Sequence, residues 1–175
     1  MKLHLGCGKR NFGTDWIHID QADYDHIIHK SVTDLPFADN TCDIIYASHL
    51  FEYFSRKEAE SVIKEWRRCL KVGGVLRLAV PDFEAMCNLY KNGYSLNMFL
   101  GPMYGEMGNP PFYHKTVYDF TSLKTFLKAS GFRTVSRYDW RETDHAEFDD
   151  HSQAYIPHMD KEHGILISLN VEAVK

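Results

Sequence analysis

The sequence predicts an α/β fold, a parallel sheet with helices on its faces, and three observations carry that expectation. Short apolar runs alternate with helical patterns through the first half of the chain, the order that builds parallel sheets. The first run, Lys2-Leu3-His4-Leu5, enters a glycine turn, Gly6-Cys7-Gly8. A second run, Trp16-Ile17-His18-Ile19, ends on Asp20. A glycine turn beside an acidic strand end is the nucleotide-binding layout of open α/β sheets. At 175 residues, with 44% apolar and 14% aromatic content, one domain spanning 1–175 with one core is expected.

Taken in order, Lys2–Leu5 and Trp16–Ile19 are the first two strands, and His26–Lys30 is a short third. Thr33-Asp34-Leu35-Pro36-Phe37 is a loop, because proline cannot continue a strand. Cys42–Ala47 is a compact apolar run of the kind buried in parallel sheets. Ser55-Arg56-Lys57-Glu58 has the capping-box pattern, and Ala59, Val62, Ile63, Trp66 and Leu70 follow at helical spacing. Gly73 is the expected stop of that helix. Val75–Val80 is a further strand, and Phe83, Met86, Leu89 and Tyr90 mark a helix that ends near Gly93.

From Tyr94 to Lys115 no single period fits. Gly101, Pro102, Gly105, Gly108, Pro110 and Pro111 are interspersed among Met98, Phe99, Met103, Tyr104, Met107, Phe112 and Tyr113. A long, apolar, turn-rich connection of this kind is expected to be functional, so 94–118 is read as a substrate-side segment. Thr121 is the expected N-cap of a helix bearing Leu123, Phe126 and Leu127 and stopped by Gly131. Arg133–Trp140 and Ile165–Val171 are the expected last strands. The acidic, histidine-rich stretch 141–163 between them is the second substrate-side segment.

The net charge of −4 gives no basic footprint for nucleic acid. No apolar run is long enough for a membrane span, and no leader pattern opens the chain. Cys7, Cys42, Cys69 and Cys87 form no C-x-x-C pair. Reduced thiols and a cytoplasmic location are therefore expected.

Ligands of open α/β sheets bind beyond the carboxyl ends of the strands, where Gly6–Gly8, Asp20, Asp34 and Ser48–His49 all fall. A dinucleotide fingerprint would need a third glycine where Asn11 stands and an acidic residue later than Asp20, which argues against a nicotinamide oxidoreductase. The ten-residue first crossover leaves room for one helical turn or none. The pattern suits a ligand with ribose and adenine but no phosphates, a description that fits S-adenosylmethionine (SAM).

On these residues the chain resembles class I SAM-dependent methyltransferases. The matching pieces are Leu3-His4-Leu5-Gly6-Cys7-Gly8, Asp20, Thr33-Asp34-Leu35-Pro36-Phe37, Asp43-Ile44-Ile45-Tyr46-Ala47-Ser48-His49 and Leu70-Lys71-Val72-Gly73-Gly74-Val75-Leu76. The resemblance implies a Rossmann-like, mostly parallel seven-stranded sheet with an antiparallel last hairpin. The chain departs from the family in its shortened first crossover and in having no N-terminal cover helix before the first strand. Another part of the chain, or a second subunit in a homo-oligomer, is expected to supply the cover.

The resemblance further implies that Gly6, Cys7 and Gly8 lie under the methionine part of SAM and that Asp20 holds the ribose. Asp34 would read the adenine amino group beside the Leu35 backbone, and Ser48 and His49 would flank the sulfonium end. The second half resembles a narrower bacterial group of small methyltransferases linked to surface-polysaccharide pathways. It does so through Phe112-Tyr113-His114-Lys115, the stretch Asp149-Asp150-His151-Ser152-Gln153-Ala154-Tyr155-Ile156-Pro157-His158-Met159-Asp160, and the stretch from Gly164 to Glu172.

The expected activity is methylation of a small molecule or glycan, with a sugar hydroxyl as acceptor. The alternative is a SAM- or nucleoside-binding regulatory or scaffold module without catalysis. A hydroxyl acceptor needs a general base. His114 is the leading candidate, His49 is a further one at the strand end, and His145 and His151 are weaker versions of the same idea. Asp144, His145, Asp149, Asp150, His151, His158 and Asp160 have no ligand spacing on a known element, so no metal site is assigned.

Overall fold

A computed structural model describes residues 1–106, 112–158 and 160–175. Met107, Gly108, Pro110 and Pro111 of the irregular segment, and Met159 of the polysaccharide-linked motif, lie outside the described residues. Seven strands form the main sheet: β1 Lys2–Leu5, β2 Trp16–Ile19, β3 Ile27–His29, β4 Cys42–Ser48, β5 Leu70–Pro81, β6 Thr134–Arg137 and β7 Ser168–Val174. Their order across the sheet is β3-β2-β1-β4-β5-β7-β6. The first five run parallel, while β7 lies antiparallel to both β5 and β6. This is the Rossmann-like sheet with an inverted last hairpin. The chain order reverses between β1 and β4, so a crevice opens beyond their carboxyl ends. The first crossover, residues 6–15, contains turns and no helix.

Alternation along β1 divides the core. Leu3 and Leu5 face α1 (Arg56–Cys69) and α4 (Phe120–Ala129), within a cluster that holds Ile45, Ile63, Trp66, Leu76, Leu127 and Leu169. His4 points the other way, stacked on Phe12 with ring centroids 4.1 Å apart. Phe12, Trp16 and Tyr46 form the core of that second face, with Phe148 packed on it. Segment 140–153 thus lies on the face that the short first crossover leaves without a helix.

Helix α1 begins with the expected reciprocal box. Glu58 N donates to Ser55 Oγ (3.3 Å), and Ser55 N donates to Glu58 Oε2 (2.7 Å). It does not run to Gly73. Leu70 already has extended φ/ψ, and Lys175 Nζ donates to the carbonyls of Arg67 (2.6 Å) and Leu70 (2.7 Å) there. Gly73, at φ +82°, lies inside β5 where the pairing with β4 slips. Only a residue free of Cβ strain takes that conformation at little cost.

Three further boundaries differ from the sequence pattern. Asp119, not Thr121, caps α4, accepting from Ser122 N at 2.7 Å. Strand β6 stops at Arg137, and Trp140–Glu142 forms a 3₁₀ turn capped by Asp139. Ile165–Leu166 pairs with Tyr155–Ile156 in a separate ladder before β7 begins. Two helices follow β5. The first is α2 (Phe83–Lys91), capped by Asp82, and the second is α3 (Asn97–Tyr104), an apolar helix within the segment that showed no period. No described helix is long and apolar enough to cross a membrane.

The buried imidazoles set a pH dependence. Burial, more than any neighbour, drives His4 well below its usual value and His145 down to about 4. Unfolded, both titrate near ~6.5. Below that pH the unfolded chain binds more protons than the folded one, so stability present above about pH 6.5 is lost as pH falls toward 4. The slope is roughly 1.4 kcal/mol per pH unit for each such histidine. Burial also raises Glu52 to about 8, which makes it contribute the opposite slope. Several histidines outweigh one carboxyl between pH 4.5 and 6.5. Urea unfolding midpoints are therefore expected to drop steadily from pH 6.5 to 5, and a flat profile would contradict it.

Candidate active site

The turn after β1 is held from two sides. Gly6 N donates to Ile19 O (2.8 Å), and Gly8 N donates to Asp20 Oδ2 (2.7 Å). Asp20 Oδ1 accepts from Ala22 N (2.8 Å), so both carboxylate oxygens are fixed by backbone amides. Each oxygen keeps a further lone pair for a ligand hydroxyl. Gly6 (φ +64°) and Gly8 (φ +53°) both take left-handed backbone. A Cβ on Gly6 would stand 3.0 Å from the Leu50 side chain, so the glycine leaves a cradle there. Cys7 is fully buried, and burial, with the Asp20 charge beside it, pushes its thiol up to about 12. It is not a nucleophile at neutral pH.

A cavity of about 980 Å³ opens beside this turn. Gly6, Asp20, Ala22, Val32, His49 and Leu50 form its floor and apolar wall, and Phe112, Tyr113 and Lys115 close it from across the crevice. The chain itself therefore supplies a wall to this cavity. Lys115 pairs with Glu58 at 3.2 Å, an exposed contact.

The loop after β3 presents Ser31, Val32 and Thr33 to the cavity, whereas Asp34 and Leu35 lie outside its wall. The Leu35 amide is engaged, donating to Glu65 Oε1 at 2.9 Å, and so is not free for an adenine ring. Ser48 closes β4 beside the cavity residues His49 and Leu50. Its Oγ is buried and has no partner among the described residues.

A second cavity of about 840 Å³ shares His49 and Tyr53 with the first. Arg10, His114, Asp149, His151 and His158 bring its polar groups, and Met98, Pro102 and Ile156 its apolar ones. Segments 94–118 and 141–163 both contribute. Arg10 Nε donates to Asp149 O (2.9 Å), tying the glycine turn to the acidic segment.

His49 is strained, at φ +48°, and sits where the cavities meet. A non-glycine residue at positive φ is uncommon enough to mark a functional position. Burial lowers both His49 and His114, so both are neutral near pH 7. His145 does not join them. It is 1% exposed on the opposite face of the sheet, with its ring 5.0 Å from Phe12 and 4.2 Å from Tyr46. A group outside both cavities cannot reach a substrate, so His145 is a core residue and not a candidate base.

Sequence reasoning missed Glu52. Both its carboxyl oxygens are buried and without a hydrogen-bond partner, and Oε1 lies 3.5 Å from His49 Nδ1 and 3.8 Å from His114 Nε2. The only local signal was a charged residue inside the apolar run Leu50-Phe51-Glu52-Tyr53-Phe54. Among the described residues no three His, Cys, Asp or Glu side chains converge as a metal-ligand set.

Comparison with known proteins agrees with this geometry. Residues 14–78 match the family model described as a methyltransferase domain. Among solved structures, a SAM-dependent methyltransferase from Archaeoglobus fulgidus is 15% identical, with a TM-score of 0.61 over 99% of this chain and 85% of that one. A SAM-dependent methyltransferase from Thermotoga maritima is 14% identical, with a TM-score of 0.59 over 99% and 81%. The partner of the Trm112 methyltransferase activator in a Haloferax volcanii complex is 14% identical, with a TM-score of 0.57 over 99% and 80%. Comparison with curated proteins finds no match. The Gly6 cradle, the fixed Asp20 carboxylate and the adjoining cavity fit the nucleoside and methionine parts of SAM. Over residues 14–78 this chain is similar to a methyltransferase domain, and it shares the fold of solved SAM-dependent methyltransferases.

Proposed function

We propose that the chain methylates a hydroxyl of a small polar molecule or glycan, held in the second cavity while SAM occupies the first. The observation that carries this reading is the meeting of the two cavities at His49 and Tyr53. Bound SAM supplies a methyl group on a sulfonium, already activated for direct displacement. The chain's part is alignment, which can contribute on the order of 7–11 kcal/mol.

Gly6 and Asp20 would hold the donor. Arg10, Asp149 and the imidazoles of the second cavity offer the mixed donors and acceptors that a polyhydroxylated acceptor needs. His114 has both ring nitrogens facing protein, with Nδ1 2.9 Å from Pro102 O and Nε2 toward Glu52. His151 is exposed on the cavity wall, its ring centroid 5.2 Å from that of His49, and is the imidazole best placed to meet an acceptor directly.

A transfer screen with methyl-labelled SAM over free sugars, glycosides and sugar nucleotides tests the proposal. Label is expected in a hydroxylated acceptor, and incorporation should fall at least tenfold in His151→Ala. Label confined to amines or thiols would replace the acceptor class.

A further inference from the structure

Glu52 is buried behind His49, which lines both cavities, with no hydrogen-bond partner for its oxygens, and the tautomers of its two neighbours say what it must hold. Ser168 Oγ donates to Asn170 Oδ1 (2.9 Å), so it accepts from His49 Nε2 (3.2 Å). That leaves the His49 Nδ1 lone pair facing Glu52 Oε1 at 3.5 Å. His114 Nδ1 donates to Pro102 O (2.9 Å), so its Nε2 lone pair faces the same oxygen at 3.8 Å. Neither separation is a formed hydrogen bond. An ionised Glu52 would thus meet two lone pairs, with only its own backbone amide to offset the charge. A neutral carboxylic acid is the form such a site accepts.

The other ionisable groups around it do not change this. Tyr53 from its own turn and Tyr118 from the segment after His114 are both raised, mainly by burial and further by Glu52 itself. Glu106 lies beyond Tyr53 and Arg56 beyond Tyr118. Among the described residues no lysine or arginine pairs with Glu52.

We propose that Glu52 is a proton switch read by the charge of the cofactor: a neutral acid in the free chain, it releases its proton to solvent when the sulfonium takes its place beside His49. The inference rests on the cofactor reading above. Its physical basis is that a methyl group passing between the cavities must cross where they meet, at His49 and Tyr53, and that Glu52 Oε1 lies 3.5 Å behind His49 Nδ1. A cation there favours the charged form of a nearby carboxyl, reversing the effect of burial. The carboxylate so formed faces the His49 and His114 rings, and Glu52 is a positioning residue in this sense, since it lines neither cavity itself.

Calorimetric titration of the wild-type chain at pH 7, in two buffers of different ionisation enthalpy, measures the proton released on binding. SAM is expected to release close to one proton, and S-adenosylhomocysteine, the uncharged demethylated product, close to none. In Glu52→Gln, SAM should bind with the release abolished. Equal release for the two ligands, or release that persists in Glu52→Gln, would overturn the switch. If that variant fails to fold, the comparison of the two ligands on the wild type still decides. Failure of both ligands to bind would instead overturn the cofactor reading.

Discussion

Asp20→Ala is expected to weaken SAM binding by about 100- to 1,000-fold, measured by calorimetry at neutral pH. The carboxylate does two jobs at once. Its oxygens accept from Gly8 N and Ala22 N, which fixes the glycine turn to the end of β2, and its remaining lone pairs face the first cavity. Hydrogen bonds to a charged group contribute about 1.5–3 kcal/mol each. Losing two at the lower end of that range, about 3–4 kcal/mol in all as suits a partly exposed carboxylate, gives the stated factor at about 1.4 kcal/mol per tenfold. Asp20→Asn keeps one carbonyl oxygen and should fall between. Loss of the Gly8 and Ala22 amide bonds should also lower the urea midpoint of Asp20→Ala, and Asp20→Asn, which keeps one acceptor, should lower it less. Affinity within tenfold of wild type in Asp20→Ala would remove this residue from the ribose site.

Trp66→Ala should cost about 3–5 kcal/mol of folding stability, the range for deleting a large buried aromatic. Trp66 is 0% exposed and packs in the core between α1 and the sheet, with its ring 5.7 Å from that of Phe51. It also reaches the site. Its Nε1 donates to Val32 O at 2.7 Å, and Val32 lines the first cavity. The variant is therefore expected to combine a lower urea midpoint with weaker SAM binding. Trp66→Phe, which keeps most of the packing but drops that hydrogen bond, should lose less stability while still loosening the loop. A Trp66→Ala midpoint within error of wild type would show that the helix is not held by this side chain.

Much of the site could be read along the chain because its signals are local. Gly6 and Gly8 follow a strand directly, and Asp20 follows the next strand, so spacing alone brings them to one edge of a parallel sheet. The Ser55–Glu58 box is likewise a matter of four consecutive residues. Trp66 falls in helical register with Ile63 and Val62 before any partner is known.

Apart from the shifted element ends, the errors concern groups whose partners are distant in sequence. Gly73 looked like a helix stop, but Lys175, more than a hundred residues later, meets the last carbonyls of α1 and the glycine is left to a slip in the sheet. The Leu35 amide, in a stretch expected beside the adenine, donates to Glu65, thirty residues on. His145 shared a histidine-rich segment with His151 and His158, yet it packs on the far face of β1 and β4 while they line a cavity.

Alternation and spacing are properties of neighbours, so they survive in a one-dimensional string and are enough for the succession of strands along the chain, the glycine turn and the acidic strand end. Glu52 is the opposite case. Nothing around position 52 states that a carboxyl will lose all its water between an imidazole three residues away and another sixty-two residues on. Desolvation depends on closure of the whole fold, and it is closure that turns an ordinary glutamate into an acid that holds its proton at neutral pH.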